Sequence, residues 1–166
     1  TARDTASLHE TAAQIVAMGR RCLPVACEVT DTASVDAAVT QIEAKLGPIA
    51  ILVNNAGVNI PRLALEATEA QWDTILDTNL KGAYLLSVAA ARHMIPNRRG
   101  VIINIASIAG IGGLSAFHPA YCATKGAVLA FTRSVAIEVA GANIFVNAIA
   151  CGGILTPPME SFLAGQ

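Results

Sequence analysis

Short continuous apolar runs alternate along this chain with longer segments of helical periodicity. The short runs are Leu23 to Val29, Ile49 to Asn54, Val101 to Ile105 and Ile144 to Ile149. They show little in-out alternation, which is the pattern of parallel strands covered on both faces. Between them, Thr5 to Met18, Ala33 to Leu46, Glu69 to Met94 and Ala120 to Val139 read as helices. Asp31 and Thr32 offer capping oxygens to the second helix and Gly47-Pro48 stops it; Thr68 caps the third, and Pro96 lies just past its end. The order helix-β-α-β-α-β-α-β predicts an α/β fold, a doubly wound parallel sheet with helices packed on it. Because the order starts on a helix and ends in a loop, the expected sheet lacks its first strand, and the chain reads as cut at both ends.

Composition narrows the picture. At 166 residues, with no internal repeat or linker-like stretch, the chain is read as a single incomplete domain over residues 1–166. Hydrophobic residues make up 54% and charged residues 14%, against about 25% charged in an average soluble chain, so a large core is expected. The net charge of -1 gives no general attraction to nucleic acid or anionic lipid. Cys22, Cys27, Cys122 and Cys151 form no CxxC pair and no zinc-like spacing, so no metal is expected, and a reduced, cytoplasmic protein is the default. The 18 uncharged residues from Gly100 to Phe117 are long enough to invite a membrane reading. Their β-branched start and the glycines at 110, 112 and 113 read instead as a buried strand and a loop.

Candidate chemistry lies in polar residues on apolar faces. Trp72, Ile75, Leu76, Leu80 and Ala83 define one buried stripe of the third helix, with Asn79 in the middle of it. A buried amide needs partners, either as a helix-bending or interhelical residue or as part of a site. Lys125 is the only charge between Ala120 and Thr132, and Tyr121 lies one turn before it. An ammonium beside a phenol favours the phenolate, which makes an acid/base pair; a lysine snorkelling to water over Tyr121 is the alternative. Ser107 and Asn54-Asn55-Ala56-Gly57 follow the carboxyl ends of predicted strands, where open α/β sheets bind ligands.

In these motifs the sequence resembles the short-chain dehydrogenase/reductases, from about Ala2 to Met159. Asn54-Asn55-Ala56-Gly57, Asn79-Leu80-Lys81-Gly82, Ile105-Ala106-Ser107 and Tyr121-Cys122-Ala123-Thr124-Lys125 occur in that family's order and near its spacings. The resemblance implies a Rossmann-like domain transferring a hydride between a nicotinamide cofactor and a secondary alcohol or ketone. Tyr121 would be the general acid or base, Lys125 would hold the nicotinamide ribose, Ser107 would bond the substrate oxygen, and Asn79 would anchor a relay water. Glu28, where aspartate is commoner, and Val29 would meet the adenine. Asn55, Ala56 and Gly57 would pass along the adenosine ribose, and Ile154 and Thr156 would reach the carboxamide. Arg3, with Ala2 rather than an acid before it, favours NADP, with NAD as the alternative. Relatives pair their third and fourth helices across a dimer axis, so a homo-oligomer, dimer or tetramer, is expected, with Ala83, Ala89, Ala90, Ala91, Ala127 and Ala130 permitting close approach.

The sequence departs from the pattern too. No glycine-rich phosphate loop occurs, and Gly110-Ile111-Gly112-Gly113 does not replace it. Cys151-Gly152 stands where Pro-Gly is usual, and Phe145 where many relatives have arginine. A catalytically silent scaffold or subunit of the same fold that has lost cofactor binding is therefore the competing reading. His118 near Ser107 or Ser115 suggests a hydrolase only weakly, since no G-x-S-x-G elbow frames either serine.

Overall fold

The computed structural model describes residues 1–2, 5–112 and 117–155, so the expectations placed on Arg3 and Thr156 lie outside the described residues. Helices α1 (Thr5–Ala17) and α2 (Thr32–Leu46) precede strand β1 (Ile51–Asn54). Then come α3 (Glu69–Leu76), a π-helical turn (Asp77–Lys81), α4 (Gly82–Asn97) and β2 (Gly100–Ser107). The short α5 (Ala109–Gly112), α6 (Pro119–Val139), a 3-10 turn (Ala140–Ala142) and β3 (Ile144–Cys151) complete the order. The three strands form one parallel sheet in the order β1-β2-β3, with Asn54 opposite Asn104 and Ser107 opposite Cys151.

The anticipated caps hold α2 and α3. Asp31 accepts from the Ala33 and Ser34 amides, Gly47 ends α2 at φ 96°, and Thr68 and Gln71 form a reciprocal capping box. The single long helix expected from Glu69 to Met94 is widened by the π turn around Asn79 and runs on through Pro96 to Asn97. Arg98 ends it in a left-handed conformation (φ 48°), held from outside: Asn143 Nδ2 donates to the Arg98 carbonyl (3.0 Å) and the Arg98 guanidinium donates to the Gly141 carbonyl (3.1 Å). Tertiary contacts, not the proline, set this boundary.

Two further expectations are corrected. Among the described residues Leu23 to Val29 forms no strand ladder; it makes one parallel bridge, Ala26 to Ala2, with the Cys27 amide donating to the Ala2 carbonyl (3.1 Å). The run is apolar because Val25 and Cys27 pack with Val35, Ala38, Val39 and Ala89 of α2 and α4. Hydrophobicity reports burial, whereas a ladder needs a neighbour along its whole length. Nor, among the described residues, is the sheet covered on both faces. Ile102, Ile144 and Val146 pack against Ala90, Met94 and Val139 of α4 and α6, while Ile51, Val53, Phe145 and Ile149 on the opposite face stand exposed. Ala83, Ala89, Ala90 and Ala91 are buried within the protein, so of the alanines expected at an oligomer contact only Ala127 and Ala130 remain accessible.

A ladder of buried polar side chains crosses the helix-covered face. Asn54 Nδ2 donates to Ser87 Oγ of α4 (2.8 Å) and to Asn104 Oδ1 (2.8 Å). Asn104 Nδ2 donates to Thr132 Oγ1 of α6 (2.9 Å), which returns its proton to the Val128 carbonyl (2.7 Å). Asn104 has no exposed surface and joins both helices to the sheet. Replacing Asn104 by Ala leaves Asn54 and Thr132 short of partners inside the core. The expected cost is about 1–3 kcal/mol, read in urea unfolding as a lower midpoint with an unchanged slope.

Candidate active site

The carboxyl ends of all three strands open on one edge of the sheet. After β1 the chain runs through Asn55, Ala56 and Gly57 to Val58, and there the π turn meets it. Val58 N–H donates to Asn79 Oδ1 (2.7 Å) and Asn79 Nδ2 donates back to the Val58 carbonyl (2.9 Å), a two-point clasp on one residue's backbone. The same Nδ2 donates to Thr124 Oγ1 of α6 (3.2 Å). Asn79 is 2% exposed, so the buried amide is satisfied outside its own helix. The widened i to i+5 turn around it is a form that recurs at functional sites. Trp72, expected on the same buried stripe, is 41% exposed; it lines a small apolar hollow with Ile60, Ala67 and Pro119 near the start of α6.

Lys125 does not snorkel. It is 5% exposed, its Nζ donates to the Ile105 carbonyl of β2 (2.7 Å), and Nζ lies 5.5 Å from the centre of the Tyr121 ring. Burial pushes its pKa below the ordinary lysine value, against a smaller opposing effect of the Cys151 thiol. Gly57 completes the contact: a Cβ there would stand 3.4 Å from Asn79 Oδ1 and 3.8 Å from Lys125 Nζ. Gly57, Asn79 and Lys125 therefore meet at one point, although they are far apart in sequence.

Ser107 is the last residue of β2 rather than a loop residue, and its Oγ accepts from the Ala109 amide (3.2 Å) at the start of α5. The Ile108 amide donates to the Cys151 carbonyl (3.0 Å), tying the ends of β2 and β3 together. Helix α5 lies directly on α6, and a Cβ on Gly110 would fall 2.5–2.7 Å from backbone atoms of Lys125 and Gly126. Only glycine allows this approach.

Beside the clasp lies a cavity of about 370 Å³ whose lining includes Cys27, Glu28, Val29, Asn55, Ala56 and Gly57. Five residues expected at a nucleotide thus share one hollow, next to Lys125 through Gly57. Glu28 turns its Oε1 to the Thr30 amide (3.2 Å) and hydroxyl (3.0 Å). Ile154 stands exposed after β3, outside that lining. Sequence reading missed Thr124 and the Ile105 carbonyl. Thr124 carried a signal, a hydroxyl between two singled-out residues on an apolar helix; a backbone carbonyl carries none.

Fold and constellation together define a class: an open parallel α/β protein with a tyrosine and a buried lysine one turn apart at the carboxyl edge of its sheet. The family model described as short chain dehydrogenase matches residues 1–165. The chain is 39% identical over 165 residues to the "Inactive 2-(S)-hydroxypropyl-CoM dehydrogenase 2" of Xanthobacter autotrophicus, covering 99% of this chain and 70% of the relative. It is 41% identical over 159 residues to the 2-dehydro-3-deoxy-D-gluconate 5-dehydrogenase of Escherichia coli, covering 95% of this chain and 62% of the relative. Among solved structures, NAD+-bound xylitol dehydrogenase superposes with a TM-score of 0.92 at 30% identity, over 97% of this chain and 62% of that one. The chain belongs to the short-chain dehydrogenase family. It spans 62–70% of the length of these proteins.

Two predictions follow from the packing around Lys125. Gly110→Ala forces α5 off α6 and lowers the melting temperature, at an expected cost of about 1–3 kcal/mol. Gly112→Ala, with nothing within 4 Å of its added Cβ, is the neutral control. Lys125 binds its proton less tightly folded than unfolded, so the unfolded chain holds more protons between the two pKa values, and stability rises with pH through that window. Lys125→Met is therefore expected to unfold at a urea concentration no lower than wild type at pH 7. The wild type should then gain on the variant as pH is raised towards 10; a gap that moves the other way would sink the argument.

Proposed function

We propose that the protein is an NADP-dependent oxidoreductase that interconverts a secondary alcohol and a ketone. The observation that carries this reading is the meeting of Gly57, Asn79 and Lys125 beside the cavity lined by Glu28, Val29, Asn55 and Ala56. The residues fit such a cofactor. Lys125 spends one of its three N–H donors on Ile105, which leaves two for ribose hydroxyls. Gly57 presents bare backbone beside Asn79 and Lys125. When bound, the cofactor supplies a hydride at its nicotinamide ring.

The protein's own part is to bind, orient and move a proton. Tyr121 gives its phenolic proton to the carbonyl oxygen in reduction and takes it back in oxidation, with Lys125 Nζ held 5.5 Å from the centre of its ring. Ser107, fixed at the end of β2, donates its hydroxyl proton to the same substrate oxygen while its Oγ accepts from Ala109. Asn79 uses its amide N–H groups on Val58 and Thr124, so a relay water rests on its oxygens rather than on its donors. The preference for NADP over NAD rests on Arg3 following Ala2. Ketones of 3-oxoacyl thioesters, sugars and steroid-like alcohols are the substrate classes.

Four unpaired cysteines favour a cytoplasmic protein, and among the described residues no helix is long and apolar enough to cross a membrane. Exposed Tyr84 and Ile137 on α4 and α6 favour a homo-oligomer, a dimer or tetramer, through those helices. Cys151 in place of proline, together with a 39% identical relative whose name calls it inactive, favours the second reading, a silent scaffold.

NADPH binding by fluorescence and NADPH oxidation with a panel of ketones separate the two readings. Turnover is expected, and Tyr121→Phe should lower kcat at least about 100-fold while the Kd for NADPH stays within about twofold. Absence of both NADPH binding and turnover in the wild type would leave the scaffold, and activity that survives Tyr121→Phe would overturn the mechanism.

A further inference from the structure

Helix α6 repeats one device at two positions eight residues apart. Thr124 Oγ1 donates to the Tyr121 carbonyl (2.8 Å) and accepts Asn79 Nδ2 (3.2 Å); Thr132 Oγ1 donates to the Val128 carbonyl (2.7 Å) and accepts Asn104 Nδ2 (2.9 Å). Both hydroxyls are buried. A helical threonine that bonds back to its own turn is ordinary and carries no functional meaning. The second bond differs, because it sends each hydroxyl's lone pair across to an amide on another element. At Thr132 that amide belongs to the structural ladder of the sheet. At Thr124 it belongs to Asn79, which clasps Val58 next to Gly57 and Lys125.

We propose that Thr124 is a positioning residue for the reaction, its hydroxyl locking the Asn79 amide and the turn carrying Tyr121 and Lys125 into one arrangement. This rests on the oxidoreductase reading for its consequence, though not for its geometry. A hydroxyl has one proton, and Thr124 commits it to Tyr121, so only an N–H can face it from Asn79. That fixes which way round the Asn79 amide sits: Nδ2 towards α6 and the Val58 carbonyl, Oδ1 towards the Val58 amide. Reversing the amide would set oxygen against oxygen at Thr124 and at Val58. The polarity chosen by Thr124 is thus the polarity the clasp requires, and the link runs Tyr121 to Thr124 to Asn79 to Val58. Without the hydroxyl, Asn79 Nδ2 keeps Val58 alone, and the π turn and α6 lose this side-chain hydrogen bond between them.

Thr132 supplies the control, since Thr132→Val deletes a buried hydroxyl of the same bonding pattern away from the candidate site. The first measurement needs no substrate: amide hydrogen exchange at Val58 in the intact chain. Thr124→Val should speed it at least about tenfold relative to Thr132→Val, and Thr124→Ser should restore it. Equal exchange in the two valine variants overturns the proposal whatever the activity. In turnover, Thr124→Val should lower kcat at least about tenfold with the Kd for NADPH within about twofold, and Thr132→Val should keep kcat. Asn79→Ala should cost less kcat in the Thr124→Val background than in wild type, because the two residues act through one link. Full additivity, or unchanged kcat in Thr124→Val, overturns the link. Faster Val58 exchange in a protein whose wild type turns over no ketone would sink the oxidoreductase reading and leave the clasp standing.

Discussion

A polar group removed from water must find its partner inside the protein, and along α6 that requirement falls on Thr124, Lys125 and Thr132 together. Each is less than a tenth exposed, and each meets it on another element: Thr124 at Asn79 of the π turn, Lys125 and Thr132 at the Ile105 carbonyl and Asn104 of β2. An unsatisfied buried donor or acceptor costs about 1–3 kcal/mol, a large share of the stability of a domain this size. The position of α6 over the sheet is therefore specified by hydrogen bonds of fixed polarity as well as by the apolar contacts of Ile102, Val139 and Val146. Apolar packing alone tolerates small slides; an amide that must face a hydroxyl does not.

The same requirement explains the widened turn in the third helical segment. Asn79 cannot satisfy its amide on the surface of a regular helix whose stripe faces the core, and the π turn lets it reach Val58 and Thr124 at once. The α-helical hydrogen-bond register is surrendered locally at the point where three chain segments converge. Gly57 and Gly110 serve the same convergence by removing side chains, the first beside Asn79 and Lys125 and the second against the backbone of Lys125.

The alternation of runs that identifies an α/β protein was legible because parallel strands need long crossovers: helical segments join β1 to β2 and β2 to β3, and the first of them has a readable cap at Thr68. The burial of Leu23 to Val29 was equally legible. Its lack of a ladder was not, because an apolar run does not say whether its neighbours are strands or helices. The end of α4 was misread for a similar reason: Pro96 is a local signal, while the stop is made by Asn143 and Gly141, more than 40 residues away. Within the site, Tyr121, Lys125 and Asn79 stood out as polar residues on apolar stripes. Asn104 gave the same signal, a lone amide within Val101 to Ile105, yet it serves the sheet. Polarity in an apolar context marks a residue that is held, without saying whether it is held for stability or for chemistry.

That distinction turns on what the partner does next. Asn104 hands its hydrogen bonds from β1 to α6 and the ladder is nearly closed, with Asn54 Oδ1 the one buried side-chain oxygen lacking a partner among the described residues. Lys125 is different. A carbonyl takes one of its donors, burial disfavours its charge, and a glycine rather than a side chain faces it across the opening. A fold selected for stability alone gains nothing from that arrangement, because an apolar residue of similar volume fills the same space without the desolvation penalty. The penalty makes sense if the charge is kept for something that arrives from outside. The empty donors and the bare backbone of Gly57 then describe the side from which it comes.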